Sequence, residues 1–185
     1  MMTIYTRKGD DGTTGLFYGG RVAKNDPAIE LLGAVDEAQA FLGLARAATG
    51  EGSELDALLI SLERDLWVLM AEVATDDANR DKLTDGATKV SPAMVDRLEG
   101  LIDTYTAKFE PLKEFVVPGG NSLSAALDVA RTVVRRAERA TVALPETDSL
   151  VAPYLNRLSD LVWTLARWQD GDHQLRTRSV GPAAN

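Results

Sequence analysis

The stretch from Phe115 to Arg139, FVVPGGNSLSAALDVARTVVRRAER, decides how the rest of the chain is read. It opens on a short extended run, Phe115-Val116-Val117, which Pro118-Gly119-Gly120 breaks. Proline fixes φ and lacks a backbone donor, and glycine adopts dihedrals that other residues resist. Asn121 and Ser122 are both good N-caps, so a helix is expected to begin there. Leu123, Leu127, Ala130, Val134, Ala137, Thr141 and Leu144 then recur at spacings of four and three, the mark of a buried helical seam. One step round the cylinder lie Asp128, Arg131, Arg135 and Glu138. Such a stripe is either a solvated face stitched by i,i+3 and i,i+4 ion pairs, or an anion site in which arginines meet phosphate oxygens and carboxylates hold the arginines. This helix alone leaves both readings open.

The flanking sequence is also helical. From about Pro27, Leu31 (or Leu32), Val35, Gln39 and Leu42 follow one face until Thr49-Gly50-Glu51-Gly52 stops the pattern. A second helix is expected from about Glu54 to Thr75, with Leu55, Leu59, Leu62, Leu66, Leu69 and Val73 as its seam and Trp67 and Met70 packed beside it. Residues 76 to 90 are polar and without period, which reads as a loop. Ser91-Pro92 opens a third helix on Met94, Val95, Leu98, Leu101 and Ile102, ending near Phe109-Glu110-Pro111. Pro145 closes the fourth. A fifth begins near Asp148 or Ser149, with Leu155, Leu158, Val162 and Leu165 inward and Asn156, Asp160 and Arg167 on a polar line. The expectation is an all-α, five-helix antiparallel bundle forming one domain over residues 1–185. Residues 1–26 form a leader, and a flexible tail runs from about 170 to 185.

Composition excludes several kinds of chemistry. A net charge of −8 argues against a nucleic-acid partner, because no basic excess attracts a phosphate backbone. The chain has no cysteine, which removes disulfides, thiolate nucleophiles and cysteine-held metals, and fits a reducing compartment. Its one histidine, His173, reads as a frayed helix end rather than a ligand, which argues against a zinc site or a Ser-His-Asp triad. No apolar run reaches membrane-span length, so a cytoplasmic protein with no membrane partner is expected.

The leader, TIYTRKGDDGTTGLFYGGRVAKND over residues 3 to 26, interleaves glycines with Thr6, Arg7, Lys8, Thr13, Thr14, Arg21 and Lys24. Glycines let backbone N–H groups approach a ligand while hydroxyls and cations add donors, as in a phosphate cradle. The Walker pattern is absent, and a flexible arm would have the same composition.

Three separated blocks resemble one family, the PduO-type ATP:corrinoid adenosyltransferases. They are Thr6 to Thr14 with Gly20 to Lys24 and Val35-Asp36-Glu37; Phe115 to Arg139; and Tyr154 to Asp160. The resemblance implies a ferritin-like bundle that assembles as a homotrimer with active sites between subunits. It implies transfer of the 5′-deoxyadenosyl group of ATP, with Mg2+, to the cobalt of reduced cobalamin or a precursor corrinoid, releasing triphosphate. The ATP-binding positions would be Thr6, Arg7, Lys8, Gly9, Thr14, Gly15, Lys24, Arg135, Arg136, Ala137, Glu138, Arg139 and Asn156. Among the catalytic positions, Asp36 would pair with Arg131 across the subunit interface, Arg135 would face the triphosphate, and Phe115 would lie under the corrin ring. No protein-held metal is implied. A reductase and a cobalamin-dependent enzyme are the implied partners. Cobalt(I) is itself the nucleophile, so the missing thiol and the lone histidine are compatible with this chemistry. Family members commonly carry histidine at the position of Asp128 and cysteine at that of Val134; Asp128 adds a negative charge that competes with Asp36 for Arg131. The competing readings are an ATP-binding sensor or corrinoid carrier without turnover, and a purely structural bundle.

Overall fold

The helical periods of the sequence become, among the described residues, five α-helices in the computed structural model: α1 Pro27–Ala47, α2 Glu54–Val73, α3 Pro92–Thr106, α4 Ser122–Ala140 and α5 Val151–Asp170. The structure describes residues 5–110, 112, 114–145, 148–171 and 175–176. His173, and residues 177–185 of the expected tail, lie outside the described residues.

Caps set the helix starts. Asp26 accepts from Ala28 N–H at 2.9 Å ahead of Pro27, and Ser53 Oγ accepts from Asp56 N–H at 3.1 Å. Asn121 and Ser124 form a reciprocal capping box, with bonds of 2.9 and 3.1 Å. A cap of this kind contributes about 1 kcal/mol. The Asn121 amide also donates to the Gln169 carbonyl at 2.6 Å, which locks the start of α4 to the end of α5. α4 gives way at Thr141–Ala143 to a 3-10 turn, and Leu144 is extended ahead of Pro145, as proline requires of its predecessor. α5 starts at Val151, later than expected, with Val151 N–H on Ser149 Oγ at 3.2 Å.

Side-chain pairs fix the helix directions. Arg46 near the end of α1 meets Asp56 near the start of α2 at 3.0 Å, and Tyr105 late in α3 donates to Glu54 at the start of α2 at 2.8 Å. Asp128 early in α4 meets Arg167 late in α5, whereas Glu138 late in α4 meets Asn156 early in α5. These pairs run antiparallel, as the expected bundle requires. The core is one cluster in which Leu31, Val35, Leu42, Leu59, Leu66, Leu127, Val134, Leu158 and Val162 are fully buried. Each such leucine contributes about 1.5–3 kcal/mol of transfer free energy.

Some expectations are corrected. Trp67, expected to pack beside the α2 seam, is 64% exposed. Val73 packs half-buried against the core as expected, but Glu72 beside it is buried too: its carboxylate accepts from Val90 N–H at 2.7 Å and from Arg80 at 3.4 Å. Residues 76–90 are not all loop, since Asp77–Lys82 form a 3-10 helix whose start Asp76 caps. Two short antiparallel pairs also join the helices. β1 (Thr13–Gly15) pairs with β2 (Arg21–Ala23), and β3 (Val116–Val117) pairs with β4 (Leu175–Arg176), which places two residues of the expected tail in a sheet.

Candidate active site

The N-terminal loop is folded around Arg21. Its Nε donates to Thr13 Oγ1 at 2.9 Å and its Nη2 to the Lys8 carbonyl at 2.5 Å, with Asp11 3.8 Å away. Thr13 donates to Asp11 Oδ1 through its hydroxyl at 2.8 Å and its backbone N–H at 2.9 Å, and these two bonds hold the Asp11 carboxyl below its ordinary value. The loop turns at Arg7 and Gly12, both left-handed at φ 59° and 81°; for Arg7 this costs about 1–2 kcal/mol. Gly9 is favoured by close approach: a Cβ there would meet the Thr13 carbonyl oxygen at 3.1 Å and Lys24 Nζ at 3.3 Å, so those neighbours would have to yield by a few tenths of an ångström. Phe17 N–H on the Ala74 carbonyl (2.9 Å) and Tyr18 hydroxyl on the Lys82 carbonyl (3.1 Å) anchor the hairpin to the end of α2 and the 3-10 helix. Arg21 is therefore engaged inside the loop. The Lys8 and Lys24 ammonium groups have no hydrogen-bond or ion-pair partner among the described residues.

On the second half of α4, Arg135 is exposed and its guanidinium likewise has no partner among the described residues. Its carbonyl accepts from Arg139 at 3.2 Å. Arg136 is ion-paired with Glu37 of α1. Glu138 accepts from the Asn156 amide at 2.7 Å, and the Asn156 oxygen accepts from Arg157, whose Nε binds Glu99 at 2.9 Å. A cavity of about 870 Å3 lies where the leader meets the end of α4, lined among others by Leu16, Val22, Arg80, Val142 and Leu144. The leader and the C-terminal end of α4 thus occupy the same end of the bundle.

A second cleft, of about 560 Å3, is built on the first half of α4. Phe115, Val116, Pro118 and Trp163 give it apolar walls, and Asp128, Arg131 and Arg167 line its polar side. Phe115 stands immediately ahead of β3 and is 84% exposed, so packing of its own ring does not hold it. Asp128 is buried; it accepts from Arg131 Nε at 3.2 Å and from Arg167, which is also ion-paired with Asp170 at 3.1 Å.

Residues 4–169 match the family model described as cobalamin adenosyltransferase. The chain belongs to the cobalamin adenosyltransferase family. Corrinoid adenosyltransferases of Mycobacterium tuberculosis (strain ATCC 25618 / H37Rv) and Citrobacter freundii are 43% and 42% identical to it. Those alignments run over 183 and 173 residues, or 96% and 92% of this chain and 94% and 96% of the relatives. Among solved structures, a phenylalanine-to-histidine variant of a PduO-type ATP:corrinoid adenosyltransferase from Lactobacillus reuteri, complexed with cobalamin and ATP, superposes with a TM-score of 0.84 at 31% identity. The superposition covers 96% of this chain and 97% of that one. An arginine-to-lysine variant from the same organism, complexed with ATP, gives 0.80 at 31% identity, over 94% of this chain and 98% of that one.

In this cobalamin adenosyltransferase family member, the fold gathers the expected site residues into three groups. Thr6, Arg7, Lys8, Gly9, Thr14, Gly15 and Lys24 share the leader loop and hairpin. Arg135, Arg136, Glu138 and Arg139 share the second half of α4, where Glu138 meets Asn156 of α5 and Arg136 meets Glu37 of α1, and neither cavity is lined by either of these two groups. Phe115 and Arg131 share the apolar cleft. Ala137 differs: it is fully buried, so its methyl packs in the core and offers a ligand nothing within the protomer. Asp36 is exposed on α1, and the partner Arg131 has within its own chain is Asp128. Sequence reasoning missed Arg167, Asp170 and Trp163 as neighbours of this cleft. The available signal was opposite charge at the start of α4 and the end of α5, which an antiparallel pair sets level.

Proposed function

We propose that this chain transfers the 5′-deoxyadenosyl group of ATP to the cobalt of a reduced corrinoid, with triphosphate as the second product. The observation that carries the residue assignment is selective engagement of cations. Arg21, Arg136 and Arg157 are tied to acceptors in the protein, while Lys8, Lys24 and Arg135 are left without one among the described residues.

Cobalt(I) brings the electron pair that forms the bond to C5′; the C5′–O bond breaks and its pair leaves on the triphosphate. The protein's part is positioning and charge. Lys8, Lys24 and Arg135 meet the triphosphate, and Thr6, Arg7, Gly9, Thr14, Gly15, Arg136, Glu138, Arg139 and Asn156 shape the nucleotide site. Magnesium would accompany ATP as its counter-ion. Phe115 forms the floor beneath the corrin ring, where it excludes the lower ligand and eases reduction of cobalt(II). The exposed Asp36, with the exposed apolar residues Leu44, Trp67 and Val129, supports a homotrimer in which Asp36 reaches Arg131 of a neighbour. One catalytic domain, a cytoplasmic location, a reductase and a cobalamin-dependent recipient complete the reading; among the described residues no helix is long and apolar enough to cross a membrane.

The test is incubation with ATP, magnesium and chemically reduced cobalamin. Formation of the cobalt–carbon bond, seen in the visible spectrum, is the expected result. ATP binding without that spectrum would make the chain a sensor or carrier.

A further inference from the structure

We infer that Asp128 is the positioning residue for Arg131 in the Phe115 cleft, acting from within the same protomer. The inference rests on the adenosyltransferase reading of that cleft.

A line of alternating charge runs from the end of α5 to the cleft wall: Asp170, Arg167, Asp128, Arg131. Asp170 is 0% exposed, Arg167 2% and Asp128 5%, so the first three members are buried in the bundle. Each contact along the line is an ion pair: Asp170 Oδ2 to Arg167 Nε at 3.1 Å, Arg167 Nη2 to Asp128 Oδ2, and Asp128 Oδ1 to Arg131 Nε at 3.2 Å. Along the line two carboxylates alternate with two guanidiniums, so each buried charge faces one of opposite sign. Asp128 cannot turn toward another partner without stripping Arg167 of one of its acceptors.

Arg131 is the exposed end of the line, with its side chain 25% accessible. It is attached through Nε alone, and its two terminal nitrogens meet no acceptor among the described residues. A guanidinium held at one edge by a buried carboxylate presents its other edge in a fixed direction, with little rotamer freedom left to lose when a ligand or neighbour arrives. Asp36 is exposed on α1 and has no such backing among the described residues. Direction is therefore imposed on Arg131 before assembly, and any carboxylate of a neighbouring subunit meets a guanidinium already oriented.

The experiment is a double-variant cycle on the full chain with saturating ATP and pre-formed cobalt(I) cobalamin. Asp128→Asn, Arg131→Ala and the double variant are compared by kcat, and thermal melting monitors the folded fraction. Asp128→Asn is expected to lower kcat about tenfold, and the double variant to be no slower than Arg131→Ala, because a residue acting through Arg131 has nothing left to act on once Arg131 is gone. Losses that multiply would overturn the inference. So would a wild-type rate for Asp128→Asn, or a loss that only follows the folded fraction. Should the asparagine variant not fold, Asp128→Glu takes its place in the same cycle, where non-multiplying losses support the role and multiplying losses overturn it. An inactive wild type, measured alongside, overturns the adenosyltransferase reading and this role together; an active wild type with independent losses overturns this role alone.

Discussion

Asn156 of α5 donates its side-chain amide to Glu138 of α4 at 2.7 Å, and so joins two blocks of sequence that each carry proposed nucleotide residues. The bond does two things. It satisfies a half-buried carboxylate, and it fixes the face of α4 on which Arg135 and Arg139 stand.

Asn156→Ala removes that donor and also the oxygen on which Arg157 donates. The expected result is a rise of about tenfold in KM for ATP, or about 1.4 kcal/mol, with kcat within about twofold. Steady-state rates at saturating cobalamin decide it. An unchanged KM with a lowered melting temperature would mean that the pair only holds α4 to α5.

Phe115→Ala removes a ring that is 84% exposed, so the melting temperature should stay within about 2 °C. Its cost should appear in the reaction. Rates from cobalt(II) with a mild reductant should fall well below rates from pre-formed cobalt(I), and equal loss in both assays would reduce the ring to general packing of the corrinoid.

Glu72→Ala should destabilise the fold by about 2–4 kcal/mol. It leaves the buried Val90 N–H without its acceptor and the half-buried Arg80 without its ion pair. Urea denaturation measures this directly. A loss below about 1 kcal/mol would show that water replaces the carboxylate.

Stability at high pH should depend on Tyr105. Burial, and then the hydrogen bond it donates to Glu54, push its phenol from 10.0 up to about 12. A raised folded value means that the unfolded chain releases the proton first. The contribution is therefore intact below pH 10 and lost as pH climbs towards about 12. Glu54 moves the opposite way, lowered by the Tyr105 and then the Lys108 hydrogen bonds, so its contribution is present above its ordinary 4.5 and lost as pH falls through the lower folded value. Melting temperature followed across alkaline pH should fall less steeply in Tyr105→Phe; Tyr154, which burial also raises well above its ordinary value, contributes to the slope that remains.

The helices are legible in the sequence because burial repeats: Leu55, Leu59, Leu62, Leu66 and Leu69 each return to the same side of α2, and all are buried. What period does not encode stays hidden. Strands of two or three residues, such as Val116–Val117, are too short to alternate, and their partner lies in a stretch whose composition reads as tail. Trp67 is apolar but falls one step off the seam, on a side that the described elements leave mostly uncovered. Glu72 sits on the seam because its carboxylate has partners on the far side of a loop, at Val90 and Arg80, which no local pattern shows. The same limit applies to the site. Phe115 and Arg131 both stand out in the sequence, and the fold places them in one cleft, but Arg167 belongs there only because α5 returns antiparallel to α4.

The claim on which the rest depends is that bond formation at C5′ expels the whole triphosphate. The most direct measurement counts inorganic triphosphate against cobalt–carbon bonds as the chain turns over ATP and reduced cobalamin. One triphosphate for each bond is the predicted result. Release of phosphate or diphosphate without a new cobalt–carbon bond, or ATP bound and returned intact, would contradict it.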